Sequence, residues 1–282
     1  MTDSKDNARI QAILASGIKI PPIPEVLLKL QALLRDPDVG AAEVARVIAR
    51  DGALSGAVFR VVGSPVFGLR AKVDTVERAI TLLGIAPTLA ILRGIALREA
   101  LGDATQNAAL ETLWQRSGEI AGYAMLAAKQ LRQRGVSPDQ AYSLGMFHDC
   151  GLALLAKRLP AYGEALRQAP WPDIPALDLA HGMDHTVLGQ TVAKNWQLPE
   201  NIAQAIRHHH AAGAAELAEA GIGEDVARLC AVLNFACHVR QLARQEPDPA
   251  WEDAWQAACM QRLGLSEADL IDLEAEVRLQ AA

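Results

Sequence analysis

The stretch Phe147-His148-Asp149-Cys150-Gly151 sets a polar pair between two apolar runs, Ala141 to Met146 and Leu152 to Ala156. These surroundings predict a helix on which both polar side chains are at least half buried. An unpaired buried charge is costly, so the Asp149 carboxylate and the His148 imidazole each require a metal, a cation or a hydrogen-bond donor. Further imidazoles follow at His181, His185, His208, His209, His210 and His238, and none precedes His148. The histidines are confined to one half of the chain.

The rest of the sequence predicts the setting of this pair. With 282 residues, 51% hydrophobic and 21% charged, the chain can bury a sizeable core as one large domain or two small ones. Aromatics make up only 4%, good helix formers dominate, and no segment has a convincing strand period, so the expected fold class is all-α. A net charge of −6 and a pI near 5.7 argue against non-specific nucleic-acid binding. Cys150, Cys230, Cys237 and Cys259 form no CxxC pair and are expected to be reduced thiols filling the core. The acidic N-terminus resembles neither a secretory signal nor a transit peptide, and no apolar run is long enough to span a bilayer. A soluble, cytoplasmic protein that does not engage membranes is the expectation.

Proline and glycine punctuate the first hundred residues. Ile20-Pro21-Pro22-Ile23-Pro24 is an extended lead-in, with Pro24 suited to a first helical turn. Val26, Leu27, Leu30, Leu33 and Leu34 make an apolar stripe that ends at Asp36-Pro37. Gly40 and Glu43 open the next helix. Others are expected from about Ala53 to Val62, from Thr75 to Gly84, and from Pro87 to about Leu101. Leu54, Val58, Phe67, Ile80 and Leu83 are expected to share one core.

These residues carry a specific resemblance. Pro21-Pro22-Ile23-Pro24-Glu25-Val26, Asp51-x-Ala53-Leu54-Ser55, Arg60, Ser64, Phe67-Gly68 and Val76-x-x-Ala79-Ile80-x-x-Leu83-Gly84 resemble the first half of the HDOD family. Gly52 and Gly63 depart from it, where that family usually has Pro and Asn.

Residues 102 to 106 are a polar break and the expected internal boundary. The division reads as a polar segment 1–19, an N-terminal helical subdomain 20–106, and an HD-like helical subdomain 107–282 with C-terminal helices. A long helix is expected from about Ala108 to Gln133. Ser137-Pro138-Asp139-Gln140 then reads as a cap and capping box for the helix carrying His148-Asp149. One helix is expected to carry His181 and His185 at i, i+4 and to end at Gln197-Leu198-Pro199, and another from Glu200 delivers His208, His209 and His210. Helices over Glu224 to Arg244, Trp251 to Leu263 and Ser266 onward complete the reading. Trp114 and Trp196 are expected core anchors.

A His-Asp doublet followed by His residues on other helices resembles the HD superfamily of metal-dependent phosphohydrolases. His148, Asp149, His185 and His209-His210 resemble the ligand series of its HD-GYP branch. The resemblance places a further ligand at Arg116 and a late carboxylate at Cys237, and both are lost. The chain after His210 reads Ala211-Ala212-Gly213, without that branch's Glu and Gly-Tyr-Pro. A buried hydrogen-bonded remnant and a metal ligand set account for the pair equally well. Arg116, His148, Asp149, His185, His209 and His210 therefore form a candidate vestigial site, with Arg116 expected to pair directly with Asp149. His181 and His238 fall outside the resemblance and read as surface or supporting residues, and His208 as a packing residue.

The HDOD resemblance implies a bacterial signalling or regulatory module without established catalysis, acting through a protein partner or ligand. On that reading no metal or other cofactor is expected. The alternative is a residual phosphohydrolase binding Mn, Fe or Mg through His148, Asp149, His185, His209 and His210.

Overall fold

In a computed structural model that describes residues 17–63, 73–102, 108–131, 134–168, 173–211 and 221–281, every regular element is helical. The first group comprises α1 (Glu25–Leu33), α2 (Ala41–Ile48), α3 (Gly52–Val62), α4 (Val76–Leu83) and α5 (Ile85–Leu101). Their starts follow local chemistry. The Glu43 carboxylate accepts from the Gly40 N–H at 3.0 Å, Asp51 from the Leu54 N–H at 3.0 Å, and the Thr75 hydroxyl from the Arg78 N–H at 3.1 Å. Each bond satisfies a donor that the helix itself leaves open. Gly84, at φ +92°, turns the chain between α4 and α5 in a conformation that L side chains rarely adopt.

Leu54, Val58 and Ile80 are buried together, whereas Leu83 is only partly buried against the same cluster. Ser64 and Phe67-Gly68 lie outside the described residues. The proline lead-in is fastened to the opposite half of the chain: the buried Trp196 donates its indole N–H to the Pro21 carbonyl at 3.0 Å.

The second group is α6 (Ala108–Gln130), α7 (Pro138–Phe147), α8 (Cys150–Ala156), α9 (Pro160–Ala165), α10 (Ile174–His181), α11 (His185–Asn195), α12 (Glu200–His208) and α13 (Glu224–Arg244). A π-helical turn at Trp251–Trp255 leads into α14 (Gln256–Leu263) and then α15 (Glu267–Ala281). Helix α6 packs on α7, α13 and α15. Its approach to α7 is backbone-close: a Cβ on Gly145 would lie 2.5 Å from the Ala121 Cα. Trp114 is buried on α6. Helix α5 packs on α7, and one apolar cluster runs from Ile18 to Val277, so the core is continuous across the polar break.

Several local expectations are corrected. Ser137 makes no cap bond and pairs with the Asp139 side chain, although Pro138 does begin α7. The doublet does not lie within one helix. Asp149, at φ −103° and ψ 13°, falls in the bridge region and separates α7 from α8. His181 and His185 belong to different helices, because Gly182 at φ +63° ends α10. Of the two readings of His238, surface or supporting residue, its burial excludes the first. Among the described residues no single helix is long and apolar enough to cross a membrane, and α4 and α5, which pass that test only as a pair, meet at 116°.

Candidate metal centre

Three helix ends meet at Asp149. The break between α7 and α8 presents His148 and Asp149. Helix α11 begins with His185, its start held by Asp184, whose carboxylate accepts from the Thr186 and Val187 N–H groups at 3.1 Å each. Helix α12 ends at His208 and delivers His209 and His210 just beyond. His148, Asp149, His185 and His209 are buried, while His210 presents more of its surface to an adjoining cavity.

Hydrogen bonds fix the ring orientations. His148 Nδ1 lies 2.7 Å from the Gly145 carbonyl, and His209 Nδ1 lies 2.8 Å from the Ile206 carbonyl. A carbonyl only accepts, so both Nδ1 atoms carry the proton in the neutral ring. His185 Nδ1 likewise donates to Asp178 at 2.6 Å, and Asp178 accepts from the His185 backbone N–H at 2.9 Å and from the Tyr162 hydroxyl at 2.6 Å. The lone pairs left on Nε2 all face one carboxylate: His148 at 3.1 Å, His185 at 3.6 Å and His209 at 3.5 Å from Asp149 oxygens. In the neutral rings acceptors confront an acceptor, so the carboxylate calls for either a proton on Nε2 or a cation. His209 Nε2 is buried without any hydrogen-bond partner, and His210 Nε2 stands 3.1 Å from His185 Nε2.

Burial opposes ionisation of Asp149, yet His148 and His209 outweigh it by charge and hydrogen bonding and hold the carboxyl well below its usual range, an attraction that needs a proton on Nε2 where no metal is bound. Burial pushes the His209 imidazole down despite Asp149, and burial together with the His209 and His185 rings holds His210 well below its ordinary value. His209 and His210 are thereby kept neutral, the form that binds metals. One ligand atom from each of Asp149, His185, His209 and His210 lies within 4.8 Å of the others. A carboxylate and three imidazoles at this spacing fit a divalent cation, and the Asp178–His185 bond is the outer support metal-bound histidines commonly have.

Asp178 was not evident from the sequence. It lies seven residues before His185 across a helix break, where no periodicity flags it; its only signal is an acidic residue on a helix that is apolar apart from His181.

A cavity of about 690 Å³ reaches the cluster, within the size range of small-ligand sites. Arg116, His148, Asp149, His209, His210 and Cys237 are among its lining residues. The site residues read from the sequence are thus brought together, His185 lying behind the lining. The direct Arg116–Asp149 pair is not formed: the ion pairs of Asp149 are with imidazoles, and Arg116 senses the carboxylate through charge across the same cavity. The three rings already crowd the carboxylate. Cys237, partly buried against the core, also lines this cavity, whereas Cys150, Cys230 and Cys259 are buried. His181 is exposed beside Tyr162, His208 is part-buried, and His238 stacks on Trp251 with ring centroids 4.2 Å apart.

Comparison with known proteins places this geometry in context. The HDOD domain family matches residues 20–212. An uncharacterized protein of Treponema pallidum is 25% identical over 195 residues, covering 68% of this chain and 37% of that protein, so the chain spans well under half its relative's length. The crystal structure of a candidate signal transduction protein from Marinobacter aquaeolei matches with a TM-score of 0.69 at 19% identity, over 99% of this chain and 65% of that one. A candidate metal-dependent phosphohydrolase from Shewanella amazonensis matches with a TM-score of 0.65 at 16% identity, over 99% of both chains. At these identities the structural likeness is one of fold.

Proposed function

Because the chain belongs to the HDOD family, we propose that it is a non-catalytic regulatory module of bacterial signalling whose Asp149 centre holds one divalent metal. The carrying observation is the convergence of the Nε2 lone pairs of His148, His185 and His209 on the Asp149 carboxylate, each Nδ1 proton being already donated elsewhere. A cation relieves that confrontation. Charge supports it too: the cavity lining carries Asp149, Asp173 and Asp248 against the single guanidinium of Arg116. Imidazole donors favour Mn or Fe over Mg, which prefers oxygen ligands.

Such a metal would be held by Asp149, His185, His209 and His210, and when bound would supply a Lewis-acidic pole for an anion or water. Asp149 precedes α8, His185 opens α11, and His209 and His210 follow α12. The ligands therefore tie three helices together. A change at the centre can alter how those helices pack, and so the surface offered to a protein partner in the cytoplasm. Turnover is disfavoured because Arg116 and Cys237 stand where the HD resemblance calls for further ligands.

Elemental analysis of untagged protein tests this reading. About one equivalent of Mn or Fe is expected, lost in Asp149→Ala and His185→Ala variants. Untagged protein that holds no metal after growth with both ions would refute it.

The cavity adjoining the cluster favours a second reading, a metal-dependent phosphohydrolase. Phosphoester turnover that requires added Mn or Fe and disappears in Asp149→Ala would select it over the non-catalytic module.

A further inference from the structure

Helix α15 buries one face and bares the other. Leu270, Leu273 and Val277 enter the core. Successive residues step about 100° around a helix, so Ala275 lies opposite that face, and Ala268, Ile271 and Leu279 lie within roughly 40° of it. All four are exposed. Ile271 and Leu279 keep 58% and 79% of their surface, and they are two of the four large apolar side chains exposed among the described residues. Apolar exposure is therefore concentrated on one stripe, about three turns long, in a helix beyond the residues 20–212 that the family matches.

Charged residues flank the stripe. Asp272 stands three positions before Ala275 and Arg278 three after, on opposite sides of the stripe, both exposed and neither with an ion-pair partner among the described residues. Other carboxylates of α15 are engaged: Asp269 accepts from the Ser266 N–H at 2.9 Å, Glu274 lies 3.5 Å from His238, and Glu276 accepts from Gln130 at 2.7 Å. An open groove adjoins the stripe, where Tyr123 of α6 and Ala243 of α13 come up beside Ala275, Arg278 and Leu279.

We propose that the outer face of α15 pairs antiparallel with the same face of a second copy of this chain, about a two-fold axis at Ala275. The order of residues along the stripe is self-complementary under that rotation. Ile271 and Leu279 lie four positions either side of the axis, so Ile271 of each copy meets Leu279 of the other. Asp272 and Arg278, three positions either side and on opposite flanks, are likewise brought face to face, twice per dimer. The small side chain of Ala275 at the axis lets the two backbones approach closely. Parallel pairing would leave Asp272 and Arg278 about 9 Å apart along the axis. The apolar stripe supplies the attraction, and the exposed ion pairs select the orientation. A contact of this kind uses the same patch on both copies and closes at two subunits. Three turns of helix bury less than a permanent interface does, so the dimer forms in a concentration-dependent equilibrium.

Sedimentation velocity of the full chain, over a concentration series reaching the high micromolar range, tests this. Wild type is expected to double its mass as concentration rises. Asp272→Arg and Arg278→Asp each set like charges against one another across the axis and should weaken the dimer at least about tenfold. Mixing the two variants restores both ion pairs in a heterodimer, and Asp272→Arg with Arg278→Asp in one chain restores them in a homodimer, which a folding defect would not allow. A wild type that stays monomeric throughout would assign the stripe to a partner of another kind and overturn the inference. So would a dimer that neither single reversal weakens, because another surface then holds it. A loss that neither mixing nor the double variant recovers would overturn it as well, because the helices then pair in another orientation.

Discussion

A Cβ placed on Gly151 would stand 2.0 Å from the carbonyl oxygen of His185. The obstruction is backbone, so no side chain can swing aside, and α8 and α11 can approach this closely only because residue 151 has no side chain. Gly151→Ala is expected to push His185 away from Asp149, lower stability by about 1–3 kcal/mol or more, and reduce metal binding. Gly52→Ala is the control, since a Cβ there meets nothing within 4 Å. Chemical denaturation of both variants checks this, and equal midpoints would contradict it.

Asp178→Asn should act on the metal more than on the fold. Tyr162 bonds one carboxylate oxygen and the His185 N–H groups the other, so the amide, with one acceptor oxygen, keeps only one of these sides and no longer fixes the His185 tautomer by charge. A loss in metal affinity of about 10–100-fold is expected, as for other outer supports of metal-bound histidines. Competition with a chelator measures it, with circular dichroism as the check on folding. Unchanged affinity would show that Asp178 does not orient the ligand.

His238 predicts a pH dependence. Burial opposes its protonation, but Asp248 at 2.9 Å and Glu274 at 3.5 Å outweigh burial and raise its pKa. A raised folded-state pKa contributes stability that is fully present below the unfolded value, about 6.5, and is lost as pH rises through the folded value. The stability difference between wild type and His238→Gln should therefore shrink as pH is raised from below that value. A difference independent of pH between 5.5 and about 8.5 would indicate that His238 contributes through packing on Trp251 alone.

In the N-terminal helices, Ile80 is buried while Leu83 is only partly so. Ile80→Ala should cost about 2–5 kcal/mol, the range for truncating a buried aliphatic side chain. Leu83→Ala should cost less, because its site already touches solvent. Urea denaturation compares them, and a larger loss at Leu83 would place that residue deeper than Ile80.

Much of the helical framework was legible along the chain. Glu43 and Thr75 cap the helices whose starts they mark, and Gly84 turns the chain between α4 and α5, because a cap or a turn depends on residues a few positions apart. The same local logic failed at Ser137, whose hydroxyl turns to Asp139, and at the doublet, which the apolar flanks predicted to lie within one helix. Local pattern could not register that Asp149 leaves helical geometry to face three imidazoles.

The sequence by itself determined the all-α class, the HDOD family, and the identity of the polar residues that would have to be reconciled in the core. Only the tertiary structure decided how they are reconciled. It aims three Nε2 lone pairs at Asp149, recruits Asp178 from the far side of a helix break, and sets Arg116 and Cys237 side by side across a cavity. The physical reason is range. Helix formation is governed by neighbours within about one turn, whereas the approach of α8 to α11 depends on Gly151 fitting a carbonyl that lies 34 positions away in the chain.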